Sequence, residues 1–277
     1  MPTLILSSRY TQESKILRTA AQALQWETFR AEDGRIPSRY KCSSDGHAIY
    51  CTVPQAFQFA ERLGAMLLGC SSAWLPSLPE AFTRRRIWAL DLKEAVHIQE
   101  RCFMKPALGK SFDAAIRTGH ELAAEVTHLP SSLKVHVSEV VAWEAEYRCF
   151  IKDKKVITLA PYRRGAVIFS SYESPLGGPQ RETYAAADFA ESVVNAIPSP
   201  RAFVLDVGLI PGRGWAVVEP NECWGSGLYG CALAKVLEVL LAATVDRDKA
   251  ADEDGRWDYA RHYYDACPHM IPGATER

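Results

Sequence analysis

The sequence has almost no imbalance of charge. Lys and Arg number 32 against 33 Asp and Glu, which gives a formal net charge of −1 and an isoelectric point of about 6.7. No global field therefore points to nucleic acid or to a membrane surface. The eight cysteines contain no CxxC and no zinc-like spacing. Several, such as Cys102 and Cys149, sit in apolar runs and read as small buried hydrophobes, a usage that suits a reducing cytoplasm. The seven histidines show no ligand spacing, and none is assigned to catalysis. No apolar stretch is long enough to span a bilayer, and the opening MPTLILSSRY has neither the basic flank nor the length of a signal peptide. Internal repeats, low-complexity blocks and the GxxxxGK[ST] phosphate loop are also missing. The expectation is a soluble cytoplasmic protein with no nucleic-acid or membrane partner; oligomeric state is not legible.

What is present is ordinary globular material, 277 residues with 48% hydrophobic and 23% charged. That length allows one large domain or two to three small ones. Thr3–Leu6 reads as a buried strand and Glu13–Gln25 as a helix, with Ile16, Leu17, Ala20 and Leu24 at helical spacing. Ser7 and Ser8 between them read as a plain turn. A strand over Ala48–Thr52 and a helix over Pro54–Leu68 complete a small α/β layer. Cys70–Pro79 reads as a linker, followed by a helix over Glu80–Ala95 that carries Arg84, Arg85 and Arg86. From Cys102 the texture changes to short β-runs at Cys102–Lys105, Lys134–Val141, Tyr147–Ile151, Val156–Ala160 and Ala166–Ser170. Helices over Phe112–Val126 and Ala185–Ala196 interrupt them, and a largely apolar helix over Leu228–Val245 precedes a charged loop and a short aromatic tail. The expected division is a small unit at 1–78, a larger one at 79–245, and a loop and tail at 246–277.

The most informative stretch is FVLDVGLIPGRGWAVVEPN, from Phe203 to Asn221. Two β-rich runs flank Pro211-Gly212-Arg213-Gly214, a strong hairpin signal. With Gly212-Arg213 as a two-residue type II′ loop, Asp206 lies opposite Glu219, and Asn221 points to the same face. Two facing carboxylates repel unless something neutralises them. Two hard carboxylate ligands and an amide oxygen suit a magnesium ion; the alternative is a solvated hairpin with its acidic residues on the wet face. Two further stretches carry weaker signals. In FMKPALGKSF, Lys105 ends a strand that Pro106 stops, and Lys110 follows in a short loop where Gly109 permits close approach. In VSEVVAWEAEYR, Glu146 and Arg148 share one face and read, by themselves, as a surface ion pair.

In this order the pieces resemble the ATP-grasp superfamily. A strand-terminal Lys105-Pro106 leads into a small-residue loop, a hinge strand bears Glu139, Glu146 follows, and the Asp206 hairpin ends in Glu219-Pro220-Asn221. The opening LILSSRYTQESKIL and the later EPNECWGSGLYG are similar to a compact bacterial and phage clade of ATP-grasp domain proteins, many without an assigned substrate. The resemblance runs to about Val245. It implies an α+β ATP-grasp fold, two β-containing lobes clamping ATP, preceded by a small α/β N-terminal unit.

The resemblance also implies roles. Lys105 would contact ATP phosphates and Lys110 would sit in the loop that closes over them. The stretch from Glu139 to Ala142, including Val140 and Val141, would be the adenine hinge, and Glu146 would meet the ribose. Asp206, Glu219 and Asn221 would hold magnesium bridging the phosphates. Relatives place a lysine on the helix before the Lys-Pro strand, where this chain offers Arg84, Arg85 and Arg86. Many also place an arginine two residues before the metal-binding Asp; here that position is Val204, so Arg148, or Arg163 and Arg164, would supply the charge. Lys105, Arg148 and Arg163 are thus the expected catalytic cations. The implied activity is ADP-forming ligation of a small-molecule or peptide carboxylate to an amine through an acylphosphate. A phosphotransferase and a non-catalytic nucleotide-binding module are the alternatives. Trp224 and Tyr229 read as packing residues.

Overall fold

The structure, a computed structural model, describes residues 1–32, 36, 40, 43–168 and 178–270. Cys42, the end of the strand expected at Ala166–Ser170 and the last residues of the tail lie outside the described residues. The chain runs β1 (Thr3–Leu6), α1 (Gln12–Ala23), β2 (Glu27–Arg30), β3 (His47–Tyr50), α2 (Val53–Leu63), β4 (Ala65–Leu67), α3 (Glu80–Thr83), β5 (Ile87–Asp91), α4 (Leu92–Ala95), β6 (Cys102–Pro106), β7 (Ala115–Arg117), α5 (Gly119–Glu125) and β8 (Lys134–Ser138). It continues through β9 (Ala145–Lys152), β10 (Lys155–Arg164), β11 (Val167–Ile168), α6 (Gln180–Ala196), β12 (Ala202–Ile210), β13 (Gly214–Asn221), α7 (Leu233–Ala243), β14 (Thr244–Asp246) and α8 (Tyr259–Ala266). Among the described residues no helix is long and apolar enough to cross a membrane, and the seven described cysteines are buried free thiols.

The chain divides into two units, each assembled from separated segments. The first joins Met1–Cys70 to Trp143–Asp258. It contains a parallel sheet in the order β2-β1-β3 and an antiparallel sheet in the order β11-β10-β9-β12-β13. Helix α7 packs against β3 and α1 and also against β9, β10 and β12. Its mostly apolar sequence buries Val236, Leu237, Val239, Leu240 and Ala243, a stripe wide enough to serve both layers. The first seventy residues therefore share a core with residues 143–258, unlike the contiguous 1–78 unit that the sequence suggests. The second unit joins Ser71–Ala142 to the segment from Tyr259 onward. Its antiparallel sheet has the order β5-β8-β6-β7, over a core that includes Leu92, Ala95, Leu122, Leu133, Val135 and Val137.

Several expected helices are shorter, for identifiable reasons. The helix expected to reach Leu68 stops at Gly64, which adopts φ +64, and Ala65–Leu67 then pairs with β14. The helix expected over Glu80–Ala95 lasts four residues, Arg84 turns left-handed at φ +51, and Ile87–Asp91 becomes an edge strand on β8. The helix expected from Leu228 starts only at Leu233, because Tyr229 and Gly230 both have positive φ. The helix expected from Phe112 yields first to β7 and begins after Thr118. There Thr118 and Glu121 form a reciprocal capping box.

The hairpin closes differently from the expected two-residue loop. Arg213 N–H donates to Ile210 O at 3.0 Å, and Gly212 has φ +75. Pro211 and Gly212 are thus the central residues of a type II turn rather than Gly212-Arg213 of a type II′ turn. This loop is one residue longer, and a bulge at Val218, where the register shifts between Asp206–Glu219 and Val207–Val217, compensates for it. The register of Asp206 with Glu219 survives.

Gly208, on β12, has no room for a side chain. A Cβ there would lie 2.6 Å from Trp143 Cε3 and 2.9 Å from Ala145 O. Gly208→Ala is expected to destabilise the chain by about 1–3 kcal/mol, read as a lower urea midpoint with an unchanged m-value.

Candidate active site

One row of the five-stranded sheet runs Ala160, Arg148, Asp206, Glu219 across β10, β9, β12 and β13. Period-two alternation puts these side chains on one face, with Glu146 and Asn221 two residues to either side. Arg148 Nε donates to Asp206 Oδ1 at 3.0 Å and Nη2 donates to Oδ2 at 2.7 Å, a bidentate pair. Asp206 has 1% of its side chain exposed and Arg148 9%. Asn221 Nδ2 donates to Asp206 Oδ2 at 3.0 Å and to Glu219 Oε1 at 3.2 Å. The repulsion between the two facing carboxylates is therefore met by a guanidinium on one side and an amide on the other.

Arg148 is held on further sides. Its Nη1 donates to Gly227 O at 3.3 Å. The Tyr162 and Tyr229 rings stack on each other at 5.1 Å, and the guanidinium carbon lies 5.4 Å and 4.9 Å from their centroids. Burial opposes the charge on Arg148, but Asp206 outweighs it and holds the guanidinium above its ordinary value. Burial, then the neighbouring carboxylates, push the Tyr162 hydroxyl well up. Tyr162 occupies a second bulge, between Pro161 and Arg163 on β10, and donates to Glu146 Oε2 at 2.5 Å. Arg163 Nη1 donates to Glu146 Oε1 at 2.6 Å. Glu146 and Arg148 are thus not a surface pair but two buried residues, each with its own partner. Arg164 turns instead to Glu182, at 2.7 Å.

Two features are absent from the sequence-derived site. Tyr162 and Tyr229 enclose Arg148, whereas Trp224 is core, 1% exposed. Gly residues on both sides of Leu228-Tyr229 hint at a special backbone, but no spacing marks a ring over Arg148. Glu13, in the first turn of α1, accepts from Tyr50 Oη at 2.9 Å and from Leu228 N–H at 2.7 Å. Tyr50 Oη also reaches Ser226 O at 3.1 Å. The loop after β13 is therefore fastened to the N-terminal layer.

The second unit holds the remaining expected residues. Lys105 lies on β6 opposite His136, half-buried, and Lys110 is exposed in the loop beyond. β8 ends at Ser138, and Glu139 N–H donates to Arg86 O at 3.0 Å. Val140 and Val141 follow outside the ladder. Arg85, Arg86, Ile87 and Trp88 line a cavity of about 390 Å³ with Leu78 and Glu80. Arg85 is buried, with Nη1 on Thr83 O at 3.1 Å. The exposed Arg86 lies 5.5 Å from the Trp88 ring, and Arg84 is exposed at the left-handed turn.

Among the described residues no three His, Cys, Asp or Glu side chains gather as a metal group. Asp206, Glu219 and the amide oxygen of Asn221 are instead a hard-oxygen set of the kind magnesium takes. The set fits on one condition: Asn221, whose nitrogen now faces both carboxylates, would have to present its oxygen.

An antiparallel four-stranded sheet with a strand-terminal Lys-Pro, and a five-stranded sheet with the Asp206, Glu219, Asn221 row, together define an α+β ATP-grasp protein. Residues 82–239 match a family described as ATP-grasp domain, the second family of its clade, and the chain belongs to that family. Among curated proteins no sequence matches the chain. Similar solved structures include D-alanine–D-alanine ligase from Bacillus anthracis, at 13% identity over 88% of this chain and 97% of that chain, TM-score 0.53. The ATP-grasp ligase PsnB complexed with minimal precursor has 13% identity over 87% and 99%, TM-score 0.50. The macrocyclase MdnC bound with precursor peptide MdnA, from Microcystis aeruginosa MRC, has 12% identity over 87% and 99%, TM-score 0.51. Identities this low establish the shared fold.

Removing one member of the buried pair strands the other. Asp206→Leu is expected to cost about 3–5 kcal/mol, whereas Arg148→Met combined with Asp206→Leu recovers most of that loss. Urea unfolding of the single and double variants checks it. Glu146 supplies a pH test. Burial raises its carboxyl despite the opposing bonds from Tyr162 and Arg163. A raised folded value means that its contribution is fully present below the ordinary carboxylate range and is lost as pH rises through the folded value. The stability of wild type minus that of Glu146→Gln should therefore fall from about pH 4 upward through the weakly acidic range. A difference that stays flat contradicts this assignment.

Proposed function

We propose that the protein is an ATP- and magnesium-dependent, ADP-forming ligase that joins a carboxylate to an amine through an acylphosphate. The observation that carries this reading is the Asp206, Glu219, Asn221 row with Arg148 directly beside it. In the second unit, Lys105 and Lys110 would meet phosphates. The backbone of Glu139, Val140 and Val141 would meet the base edge, with Arg86 a further cation at that edge. In the first unit, Asp206, Glu219 and Asn221 would hold magnesium, which when bound offsets charge on the phosphates. Glu146 would meet the ribose hydroxyls from a carboxylate whose pose Tyr162 and Arg163 fix.

Val204 leaves no arginine two residues before Asp206. Arg148, on the neighbouring strand and opposite Asp206 itself, would supply positive charge where it develops on the reacting carboxylate, with Arg163 beside it. The named solved structures are a ligase complexed with minimal precursor, a macrocyclase bound with precursor peptide and a D-alanine–D-alanine ligase. They support peptide or amino-acid carboxylates and amines as the substrate class to screen first. One observation favours a non-catalytic nucleotide-binding module: both oxygens of Asp206 are engaged by Arg148.

Calorimetric titration of a non-hydrolysable ATP analogue with magnesium is the first test. Wild type is expected to bind, and Glu219→Gln to bind about 10- to 100-fold more weakly. Turnover is then assayed with carboxylate and amine pairs, adding hydroxylamine to trap an acylphosphate as a hydroxamate. ADP, phosphate and amide in equal amounts support ligation. A stable phosphorylated product would establish a phosphotransferase instead, and binding without turnover of any pair would favour the module.

A further inference from the structure

The loop after β6 is fastened by a segment more than 150 residues away in sequence. Ala107 N–H donates to Lys134 O at 2.8 Å, which ties the start of the loop to β8. Cys267 Sγ, just past α8, donates to Leu108 O at 3.3 Å. The Tyr263 ring covers Gly109: a Cβ built there would stand 3.1 Å from both Cε2 and Oη of that ring. Gly109 itself has φ +72, a conformation that glycine adopts without strain. Ser111 Oγ lies 3.5 Å from His269 Nε2. Residues 108, 109 and 111 are each met by the 263–269 segment, yet Lys110 between them stays exposed.

The contacts at Leu108 and Gly109 go to backbone, so they fix the path of the loop and leave its lysine side chain to a ligand. α8 is built for this. Tyr259, Tyr263 and Ala266 form its buried stripe at helical spacing, and the buried Cys267 follows directly. Burial pushes the Cys267 thiol up to about 11, so it remains a protonated donor at neutral pH. The segment lies outside residues 82–239, the part matched by the family.

We infer that Tyr263 and Cys267 are positioning residues for nucleotide binding, holding the Pro106–Ser111 loop in the conformation from which Lys110 meets the polyphosphate of a nucleoside triphosphate. This rests on the nucleotide reading of that loop given above. A loop already held in its binding conformation loses less freedom when the ligand arrives, and affinity falls in proportion to the time it spends elsewhere.

The test uses the full chain, with amide hydrogen exchange and calorimetric binding of the magnesium-loaded, non-hydrolysable ATP analogue. In Tyr263→Ala, exchange at residues 107–111 should rise while the β6 and β8 amides keep wild-type protection, and the analogue should bind about tenfold more weakly. Tyr263→Phe, which keeps the ring over Gly109, should retain most of the wild-type protection and affinity. Should Tyr263→Ala fail to fold, Cys267→Ala removes only the thiol donor and should show the same pattern with about a threefold loss. Equal binding by wild type and Tyr263→Ala, or unchanged exchange at 107–111, overturns this inference alone. An analogue that does not bind wild type overturns the nucleotide reading, and this inference with it.

Discussion

Arg148 and Asp206 face each other across β9 and β12 with less than a tenth of either side chain exposed. Two charges so deeply buried persist only where each remaining polar atom has a partner. That requirement accounts for two irregularities of the sheet, apart from a third register shift at Ile157 on β10. The bulge at Tyr162 gives β10 an extra residue, and its ring covers Arg148 while its hydroxyl reaches Glu146. The bulge at Val218 absorbs the extra residue of the hairpin loop, so that Glu219 and Asn221 arrive beside Asp206. Both bulges sit one residue from a charged group of this face, where bulges commonly re-aim side chains.

The pair also depends on the N-terminal layer. Gly227 O, the backbone acceptor for Arg148, lies between Ser226 and Leu228, which are fixed by Tyr50 and Glu13. A short chain of hydrogen bonds thus joins the first turn of α1 to the charged row. The α/β layer is for this reason no detachable appendage, and its core is continuous with that of the five-stranded sheet through α7. Tyr229, held at φ +47, follows directly in the same loop. Strain of that kind persists where the surroundings over-determine the backbone, and here the stacking on Tyr162 and the anchored Leu228 amide do so.

Much of the site was legible because it is carried by short-range signals. Pro211-Gly212 marks a turn whatever its type, and alternation then brings Asp206, Glu219 and Asn221 to one face. Lys105-Pro106 marks a strand end because proline lacks the ladder donor. The two bulges were illegible, since a bulge is a compromise between a loop and a distant row and has no local composition of its own. The sequence of Glu80–Ala95 reads as one helix because Ile87-Trp88-Ala89-Leu90 fits either periodicity. Only β8, nearly fifty residues on, decides that it is a strand. Glu13 and Tyr229 carry no local signal that pairs them with the site, because their partners lie more than sixty residues away along the chain, at Leu228 for the one and at Tyr162 and Arg148 for the other.

The charge balance of the row connects its resting arrangement to chemistry. Arg148 and Arg163 face Asp206, Glu219 and Glu146, two cations against three carboxylates, with one negative charge in excess if all are ionised. Glu146 is matched by Arg163, with a further bond from Tyr162, so the excess falls at Asp206 and Glu219. There Asn221 bridges the two carboxylates through its nitrogen. An amide can serve either sign of neighbour: its N–H₂ satisfies carboxylates, and turned over, its oxygen satisfies a cation. The same three side chains therefore make a hydrogen-bonded network beside Arg148 and would offer a hard-oxygen donor set to a divalent ion. A divalent ion would reverse the sign of the row, from one negative charge in excess to one positive. A row of that sign attracts phosphate oxygens where the resting row repels them.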